Sequence, residues 1–275
     1  MTRAESLHAT KHHGLANDFL VVLTDAEPDG LVDLAIAMCD RLVGIGADGL
    51  IVGLPSDQGD LRMILHNADG SRAQMSGNGI RCLAQAEVMR RGADAALQIV
   101  TDGGIRAVEV TSVGDGLVEA SVEMGPLADG PGVVEAILNN PLTRRTATGD
   151  LGNPHLVVEV DDPALIDVAA VGANFESHYA DGINVEFIRA HPTAADTIEL
   201  AVWERGAGIT QACGTGATAA ATRAHHWGLV GSRVTVDMPG GSAIVEVPES
   251  SEASATLIGP AQFVADVHWP VNQHG

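Results

Sequence analysis

Alternation of apolar and polar residues along the chain predicts a protein built mainly from β-strands. In the first half, strands are expected at residues 7–12, 18–23, 61–66, 105–111 and 117–123. In the second half, they are expected at residues 155–160, 184–188, 197–202, 233–238 and 243–247. Helical spacing appears over residues 31–42, after Gly79 as far as a glycine stop at Gly92, and over residues 217–227. Few helices and many strands indicate an α+β protein.

A long-period repeat divides this pattern into two similar halves. At an offset of 137 positions, Ser76-Gly77-Asn78-Gly79 falls on Cys213-Gly214-Thr215-Gly216, and Asn67 falls on Glu204. At an offset of 136, Leu15-Ala16-Asn17 falls on Leu151-Gly152-Asn153. Three matches in the same order at nearly one offset favour a duplication. We expect two similar lobes that face each other, each bringing one polar turn and the helix after it to the cleft between them.

Composition narrows the class of partner. The 275 residues are 45% hydrophobic and 19% charged, as in an ordinary globular chain, and carry a formal net charge of -21. This charge excludes nucleic acid and an anionic membrane as partners, and leaves a small zwitterionic or cationic molecule. Three cysteines cannot form a disulfide framework, and no apolar run is long enough to span a membrane. We therefore expect a cytoplasmic protein.

Cys213 is the strongest candidate for chemistry. It precedes Gly-Thr-Gly and a predicted helix, so unpaired backbone N–H groups and the helix dipole are expected to favour its thiolate. Cys213 is then a candidate base or nucleophile. The alternative is a small buried hydrophobic residue, which is the interpretation we keep for Cys39 and Cys82.

Other suggestive motifs have simpler explanations. Gly44-Ile45-Gly46-Ala47-Asp48-Gly49 has the spacing of a dinucleotide-binding loop, but a helix precedes it and a strand follows, so it predicts a tight turn. The pairs His12-His13 and His225-His226 do not face one metal ion, and we expect partly exposed histidines there. His155 differs, because the repeat places it beside the cleft. Glu204 and Arg205 end a strand shortly before Cys213, so both are expected to reach the same cleft.

Several segments, taken together and in order, resemble the diaminopimelate epimerases. They are Lys11 to Phe19, Asn67 to Ser71, Gly77 to Cys82, Gly152 to His155, Gly182 to Val185, Glu204 to Gly206 and Ala212 to Gly216. The resemblance implies an α+β fold with two pseudo-symmetric lobes, each a β-rich barrel-like sheet around a central helix. It implies a first lobe at residues 1–127, to which residues 263–275 return, a second lobe at residues 128–262, and a homodimer.

The resemblance also implies an activity. The family converts LL-2,6-diaminopimelate to the meso form, in lysine and cell-wall precursor biosynthesis, by two-base transfer of the α-proton without metal or other cofactor. The implied catalytic residues are Cys213 and the residue at position 76, and His155 and Glu204 are implied to tune the thiols. The implied substrate-binding residues are Asn17, Asn67, Gly77, Asn78, Asn153, Asn184, Glu204, Arg205, Gly214 and Thr215.

Position 76 departs from the family pattern. The family has cysteine at both repeat-related positions, whereas this chain has Ser76, and a hydroxyl is a much weaker acid than a thiol. Three explanations stay open at this point. The chain is a Cys-to-Ser variant of an epimerase, or a natural relative with altered chemistry, such as another racemase or a dehydratase with Cys213 as its single base. The third is a catalytically silent amino-acid-binding protein.

Overall fold

The computed structural model describes residues 6–270, which form two compact units. Unit 1 consists of residues 6–120 and 260–270, and unit 2 consists of residues 121–259. The boundaries expected from the sequence, at 127/128 and 262/263, stay predictions, and residues 271–275 of the expected return lie outside the described part of the chain. No helix within residues 6–270 is long and apolar enough to cross a membrane.

Unit 1 contains a sheet and two helices. Its strands are β1 (Ser6–Gly14), β2 (Asn17–Leu23), β3 (Gly49–Leu54), β4 (Leu61–Asn67), β5 (Arg72–Ala73), β6 (Ala95–Thr101), β7 (Gly104–Gly114) and the start of β8 (Leu117–Gly125). The helices are α1 (Leu31–Cys39) and α2 (Gly77–Arg91). The strands β2 and β3 are parallel, as are β4 and β6, because a helix connects each pair.

Unit 2 repeats this plan. It contains α3 (Glu135–Leu138), β9 (Arg145–Asp150), β10 (Pro154–Glu159), a 3₁₀ turn (Pro163–Leu165), α4 (Val168–Glu176), β11 (Asn184–Ala190), β12 (Thr197–Glu204), β13 (Gly208–Ile209), α5 (Gly214–His226), β14 (Arg233–Met238), β15 (Gly241–Glu246) and the start of β16 (Ala255–Pro270). The last part of β16 belongs to unit 1, where it pairs with β1 and closes the order β1-β2-β3-β4-β6-β7-β8-β16 into a barrel-like sheet.

The strand registers confirm the duplication within the fold. Leu61 of β4 pairs with Ile99 of β6, and Ile198 of β12 pairs with Val236 of β14, so both partners are shifted by the same 137 positions. The parallel pairs β2–β3 and β10–β11 also correspond, with Phe19–Gly49 and His155–Asn184 shifted by 136 and 135 positions. The α+β class with two pseudo-symmetric, barrel-like lobes is therefore confirmed.

The central helix α2 is unusual because it buries polar side chains as well as apolar ones. Arg81 is fully buried, and its guanidinium donates hydrogen bonds to Gly77 O, Asn78 Oδ1 and Pro260 O. Burial lowers the pKa of Arg81 to about 10, which leaves it charged at neutral pH. Such a group is tolerated only because its donors have acceptors. The helix ends as expected at Gly92, whose φ of 71° needs a glycine.

The helix predicted over residues 31–42 is three residues too long. It ends at Cys39, because Asp40 leaves the helical conformation with a ψ of 123°. The Asp40 carboxylate then accepts hydrogen bonds from the backbone N–H groups of Leu42 and Val43, which forms a turn instead of another helical turn. The side chains of Leu42 and Val43 are exposed, so their apolar spacing does not mark a buried face.

The expectation of a partly exposed His12 is wrong. The ring is completely buried between two polar side chains, with Nδ1 2.8 Å from Gln85 Oε1 and Nε2 2.7 Å from Thr10 Oγ1. Its neighbour His13 points to the other side of β1 and is half-buried, in line with strand alternation. Burial lowers the pKa of His12 to about 4.

This shift predicts that the protein loses stability in mild acid. The unfolded chain takes up a proton on His12 below about pH 6.5, whereas the folded chain does so only near pH 4. His12 alone should lower the free energy of unfolding by about 3 kcal/mol between pH 7 and pH 4. Chemical denaturation at several pH values measures this, and His12→Gln should flatten the dependence, whereas His8→Gln, an exposed histidine of the same strand, should not. Equal slopes in all three proteins would contradict the prediction.

Candidate active site

The two polar turns that the repeat singles out begin the two central helices with the same cap. Ser76 Oγ accepts a hydrogen bond of 3.0 Å from the Gly79 N–H at the start of α2. Cys213 Sγ accepts one of 3.4 Å from the Gly216 N–H at the start of α5. Both capping residues have extended backbones, as N-caps require. The serine and the cysteine thus occupy equivalent positions, each in its own unit.

In unit 1, two predicted substrate-binding residues lie together beside this cap. Asn17 Oδ1 accepts a hydrogen bond of 3.1 Å from the amide of Asn78, which is the second residue of α2. The Asn17 amide in turn donates 2.6 Å to Asp48 Oδ2. Asn67 lies at the end of β4, and its amide donates to Ser71 Oγ at 3.0 Å. The unit therefore presents the carboxamides of Asn17 and Asn78 beside the cap, with the buried Arg81 guanidinium behind Asn78.

Asp48 was missed by the sequence analysis. It belongs to the glycine-rich motif at residues 44–49, which is a turn between α1 and β3 as predicted. The turn is tight at Gly49, where a Cβ atom would lie 2.8 Å from the His66 carbonyl oxygen. Arg41 also pairs with Asp48, at 2.7 Å. The motif thus holds the Asp48 carboxylate against the Asn17 amide. The signal available in the sequence was a carboxylate that follows a glycine turn and precedes a predicted strand.

In unit 2, the corresponding residues form an acid–base cluster. The amide of Asn153 donates 3.3 Å to Thr215 Oγ1, and its Oδ1 lies 3.1 Å from His155 Nε2. His155 Nδ1 lies 2.6 Å from Glu186 Oε1, and both of these side chains are fully buried. Glu186 was also missed, although strand alternation places it on the same face of β11 as the predicted Asn184.

Asn184 and Arg205 lie at adjacent strand ends in this unit. The Asn184 amide donates 2.9 Å to Pro154 O, and its Oδ1 accepts 3.0 Å from the Arg205 backbone N–H. The Arg205 guanidinium donates to Asp181 O at 2.9 Å and is exposed. Arg205 is therefore anchored through its backbone, and its charged group is available on the surface.

Cys213 lies in an environment that opposes ionisation. The residue is buried, and burial together with the carboxylates of Glu204 and Glu186 raises the pKa of its thiol well above the usual value. Hydrogen bonds from Thr215 and from the Gly216 N–H lower this pKa but do not outweigh the burial. The shift is opposite to the one expected from the helix N-terminus alone, because burial of the thiol disfavours its anion and the carboxylates of Glu204 and Glu186 add to this effect.

Glu204 is the direct partner of the Cys213 thiol. Burial raises the pKa of its carboxyl group, whereas hydrogen bonds from Thr210 and Cys213 lower it. The Thr210 hydroxyl donates to Glu204 Oε1. Glu204 and Cys213 thus lie side by side with both pKa values raised, which is the kind of arrangement that lets a thiol give up and regain a proton. Within residues 6–270, no three His, Cys, Asp or Glu side chains are grouped to hold a metal ion.

Comparison with known proteins decides the family. Residues 9–128 and 148–264 match the family model for diaminopimelate epimerase. The chain belongs to the diaminopimelate epimerase family. The resemblance inferred from the motifs is confirmed, and with it the assignment as an isomerase.

Individual diaminopimelate epimerases are similar over nearly their whole length. The enzyme of Nostoc punctiforme is 37% identical over 279 residues, which cover 94% of this chain and 98% of that protein. The diaminopimelate epimerase of Pelotomaculum thermopropionicum is 38% identical over 284 residues, covering 96% and 99%.

Solved structures share the diaminopimelate epimerase fold at much lower identity. A phenazine biosynthesis protein of the PhzF family from Bacillus anthracis aligns with a TM-score of 0.72 at 15% identity, covering 97% of this chain and 100% of that one. A hydroxyproline epimerase from Agrobacterium vitis aligns with a TM-score of 0.70 at 14% identity, covering 96% and 90%.

The charge of Glu204 beside the Cys213 thiol predicts how Glu204→Gln changes the reactivity of that thiol. The substitution removes a like charge and should lower the pKa of Cys213, so that its alkylation by iodoacetamide at pH 8 becomes about tenfold faster. Peptide mass spectrometry measures this and separates Cys213 from Cys39 and Cys82. The matched control is Glu199→Gln, which removes a charge of the same strand that is paired with Arg189. Equal acceleration by both substitutions would contradict the prediction.

Proposed function

We propose that this chain acts on LL-2,6-diaminopimelate and inverts one α-carbon to give meso-diaminopimelate, by proton transfer without a cofactor. The observation that carries the proposal is the pair of equivalent helix caps, Ser76 and Cys213, in a member of this family. The cytoplasmic location, the homodimer and the place in lysine and cell-wall precursor biosynthesis belong to the same proposal.

The first turns of the two central helices are proposed to hold the reacting end of the substrate. Backbone N–H groups at a helix start lack intrahelical acceptors and attract carboxylates. We assign this role to Gly77 and Asn78 in α2 and to Gly214 and Thr215 in α5. The same donors would stabilise the negative charge that develops on the substrate when its α-proton leaves.

The remaining polar groups are proposed to bind the ammonium groups and the distal carboxylate. Carboxamide and carboxylate oxygens accept hydrogen bonds from ammonium groups, and the exposed Arg205 guanidinium fits a carboxylate in two-point geometry. Besides Arg205, the proposed binding residues are Asn17, Asn67, Asn153, Asn184 and Glu204.

Cys213 is proposed to be the acid–base residue of unit 2. The raised pKa of its thiol means that Cys213 carries its proton in the free protein. To act as an acid, the S–H bond breaks and the proton joins the carbanion, whose electron pair forms the new C–H bond. To act as a base, the thiol first passes its proton to Glu204, and the sulfur then removes the α-proton from the substrate. His155 is proposed to tune this equilibrium.

Ser76 is proposed to limit the rate. A helix N-terminus stabilises an anion by about 1 to 2 kcal/mol, which is far too little to make a hydroxyl as acidic as a thiol. The two-base reaction is therefore expected to be impaired in this chain. A natural relative with altered chemistry and a silent amino-acid-binding protein are the alternatives, and they differ from an impaired epimerase in what restoring the thiol does.

Ser76→Cys is expected to increase activity strongly. Restoring the second thiol should accelerate exchange of the α-proton of LL-diaminopimelate with deuterium by at least about 100-fold, which is the usual contribution of a general acid–base group. Mass spectrometry of the substrate in heavy water measures this exchange. Ser251→Cys, on an exposed turn, provides the control for a new thiol elsewhere.

Other outcomes would favour the alternatives. Absence of exchange in Ser76→Cys would contradict the epimerase. Calorimetric binding of diaminopimelate without exchange would then indicate the silent binding protein. Release of a keto acid from a hydroxylated amino acid, lost in Cys213→Ala, would indicate the one-base dehydratase.

A further inference from the structure

A fully buried acid–base pair lies against the first turn of α5. Glu186 and His155 are both completely inaccessible, and Glu186 Oε1 and His155 Nδ1 are 2.6 Å apart. The second oxygen, Glu186 Oε2, has no hydrogen-bond partner among residues 6–270. Burying a carboxylate with one unsatisfied oxygen is costly, so such a group in a native fold calls for a reason beyond packing.

The fold itself does not require this pair. Phe19 of β2 pairs with Gly49, and His155 of β10 pairs with Asn184, so the registers place Phe19 where unit 2 has His155. Two residues further along the next strand, Ile51 stands where unit 2 has Glu186.

The two helix starts support this correspondence. A Cβ atom on Gly79 would lie 3.1 Å from Ile51 Cδ1, and one on Gly216 would lie 2.7 Å from Glu186 Oε1. The same scaffold thus folds with an apolar pair in one unit and an ionisable pair in the other.

From this pair, hydrogen bonds lead to the thiol. We call Glu186, His155, Asn153, Thr215 and Cys213 the buried chain; Asn153 is half-buried and the other four residues are buried. Its links after the first measure 3.1 Å from His155 Nε2 to Asn153 Oδ1, 3.3 Å from Asn153 Nδ2 to Thr215 Oγ1, and 3.5 Å from Thr215 Oγ1 to Cys213 Sγ.

Each link of the buried chain sets the direction of the next. An amide oxygen only accepts, so His155 Nε2 must carry a proton. An amide nitrogen only donates, so Thr215 Oγ1 accepts from Asn153 and its own hydrogen remains for the sulfur. A proton is also needed in the 2.6 Å contact between Glu186 and His155, whichever of the two atoms holds it. The pair therefore carries two protons in this arrangement.

We propose that Glu186 is a positioning residue: it retains the second proton on the pair with His155, and the buried chain then directs a hydroxyl hydrogen at the Cys213 sulfur. If the pair held one proton, it would lie in the contact with Glu186, Nε2 would be bare, and the amide of Asn153 would have to rotate. Thr215 would then accept from the S–H instead of donating. The inference rests on the proposed acid–base role of Cys213.

The hydrogen bond at the end of the buried chain favours the Cys213 thiolate, whereas the surrounding carboxylates disfavour it. Among the groups that face the thiol, Glu204 on β12 and Glu186 on β11 disfavour its anion, and His155 on β10 balances Glu186. The hydroxyl of Thr215 and the Gly216 N–H are the donors that remain to the sulfur when its proton leaves. Ser76 has no equivalent of the ionisable pair, because Phe19 and Ile51 occupy those positions.

The first test measures the protons on His155 directly. Nitrogen NMR of the ¹⁵N-histidine-labelled protein at pH 7.5, with His155 assigned by its loss in His155→Gln, should show a protonated Nε2 and a strongly downfield proton in the contact with Glu186. In Glu186→Gln, the imidazole should carry one proton only. A bare Nε2 in the unsubstituted protein would overturn the proposal.

The second test follows the far end of the buried chain. Thr215→Val should raise the pH midpoint of Cys213 alkylation and slow the reaction at pH 8 about fivefold, as expected for one lost hydrogen bond. Thr215→Ser keeps the hydroxyl group, so the midpoint and the rate should stay at the values of the unsubstituted protein. The shifts caused by Glu186→Gln and Thr215→Val should not add in the double variant, since both act through one chain. Additive shifts would overturn the link. Neither test measures turnover, so a failure of the proposal about Glu186 can be told apart from a failure of the epimerase assay.

Discussion

The hydrogen bond between the capping side chain and the third N–H of each central helix organises both units. It starts α2 at Ser76 and α5 at Cys213, and thereby fixes which residues of the first turn lie next to the cap. The third residue of each helix, Gly79 or Gly216, is a glycine, because a Cβ atom there would lie too close to a side chain of the strand packed against the helix. Each capping side chain, Ser76 or Cys213, therefore cannot move far without unwinding the first turn of its helix.

The two units share a backbone plan but differ in the charged and polar side chains that surround the helix caps. In unit 1, the carboxamides of Asn17 and Asn78 lie beside the cap, and the buried Arg81 guanidinium donates hydrogen bonds to Gly77 O and Asn78 Oδ1. In unit 2, burial raises the pKa of the thiol at the cap, and the carboxylates of Glu204 and Glu186 beside it raise this pKa further. Equivalent backbones thus carry different surroundings at their caps, because the side chains on the neighbouring strands differ between the two units.

Sequence reasoning recovered the parts of the fold that depend on local pattern. Alternation located most of the strands, and the short glycine-containing repeat located both caps. It failed where a single side chain redirects the backbone, as at Asp40, and where burial depends on long-range packing, as for His12. Glu186 and Asp48 were missed because each acts through a neighbour brought close only by strand pairing. The ionisation of Cys213 depends likewise on burial and on the carboxylates of Glu204 and Glu186, which strand pairing brings close.

The long strand β16 has a consequence for how the chain is made. Its last part pairs with β1, and the side chains of His8 and Asp266 that meet there are 258 positions apart in the sequence. The contacts within unit 2 join residues 121–259, whereas the pairing of β1 also needs residues 260–270, which are synthesised later. The unit that begins first is then completed last, and β1 has an unpaired edge throughout that interval. An unpaired strand edge is a site of aggregation, so the edge of β1 is exposed to this hazard until β16 pairs with it.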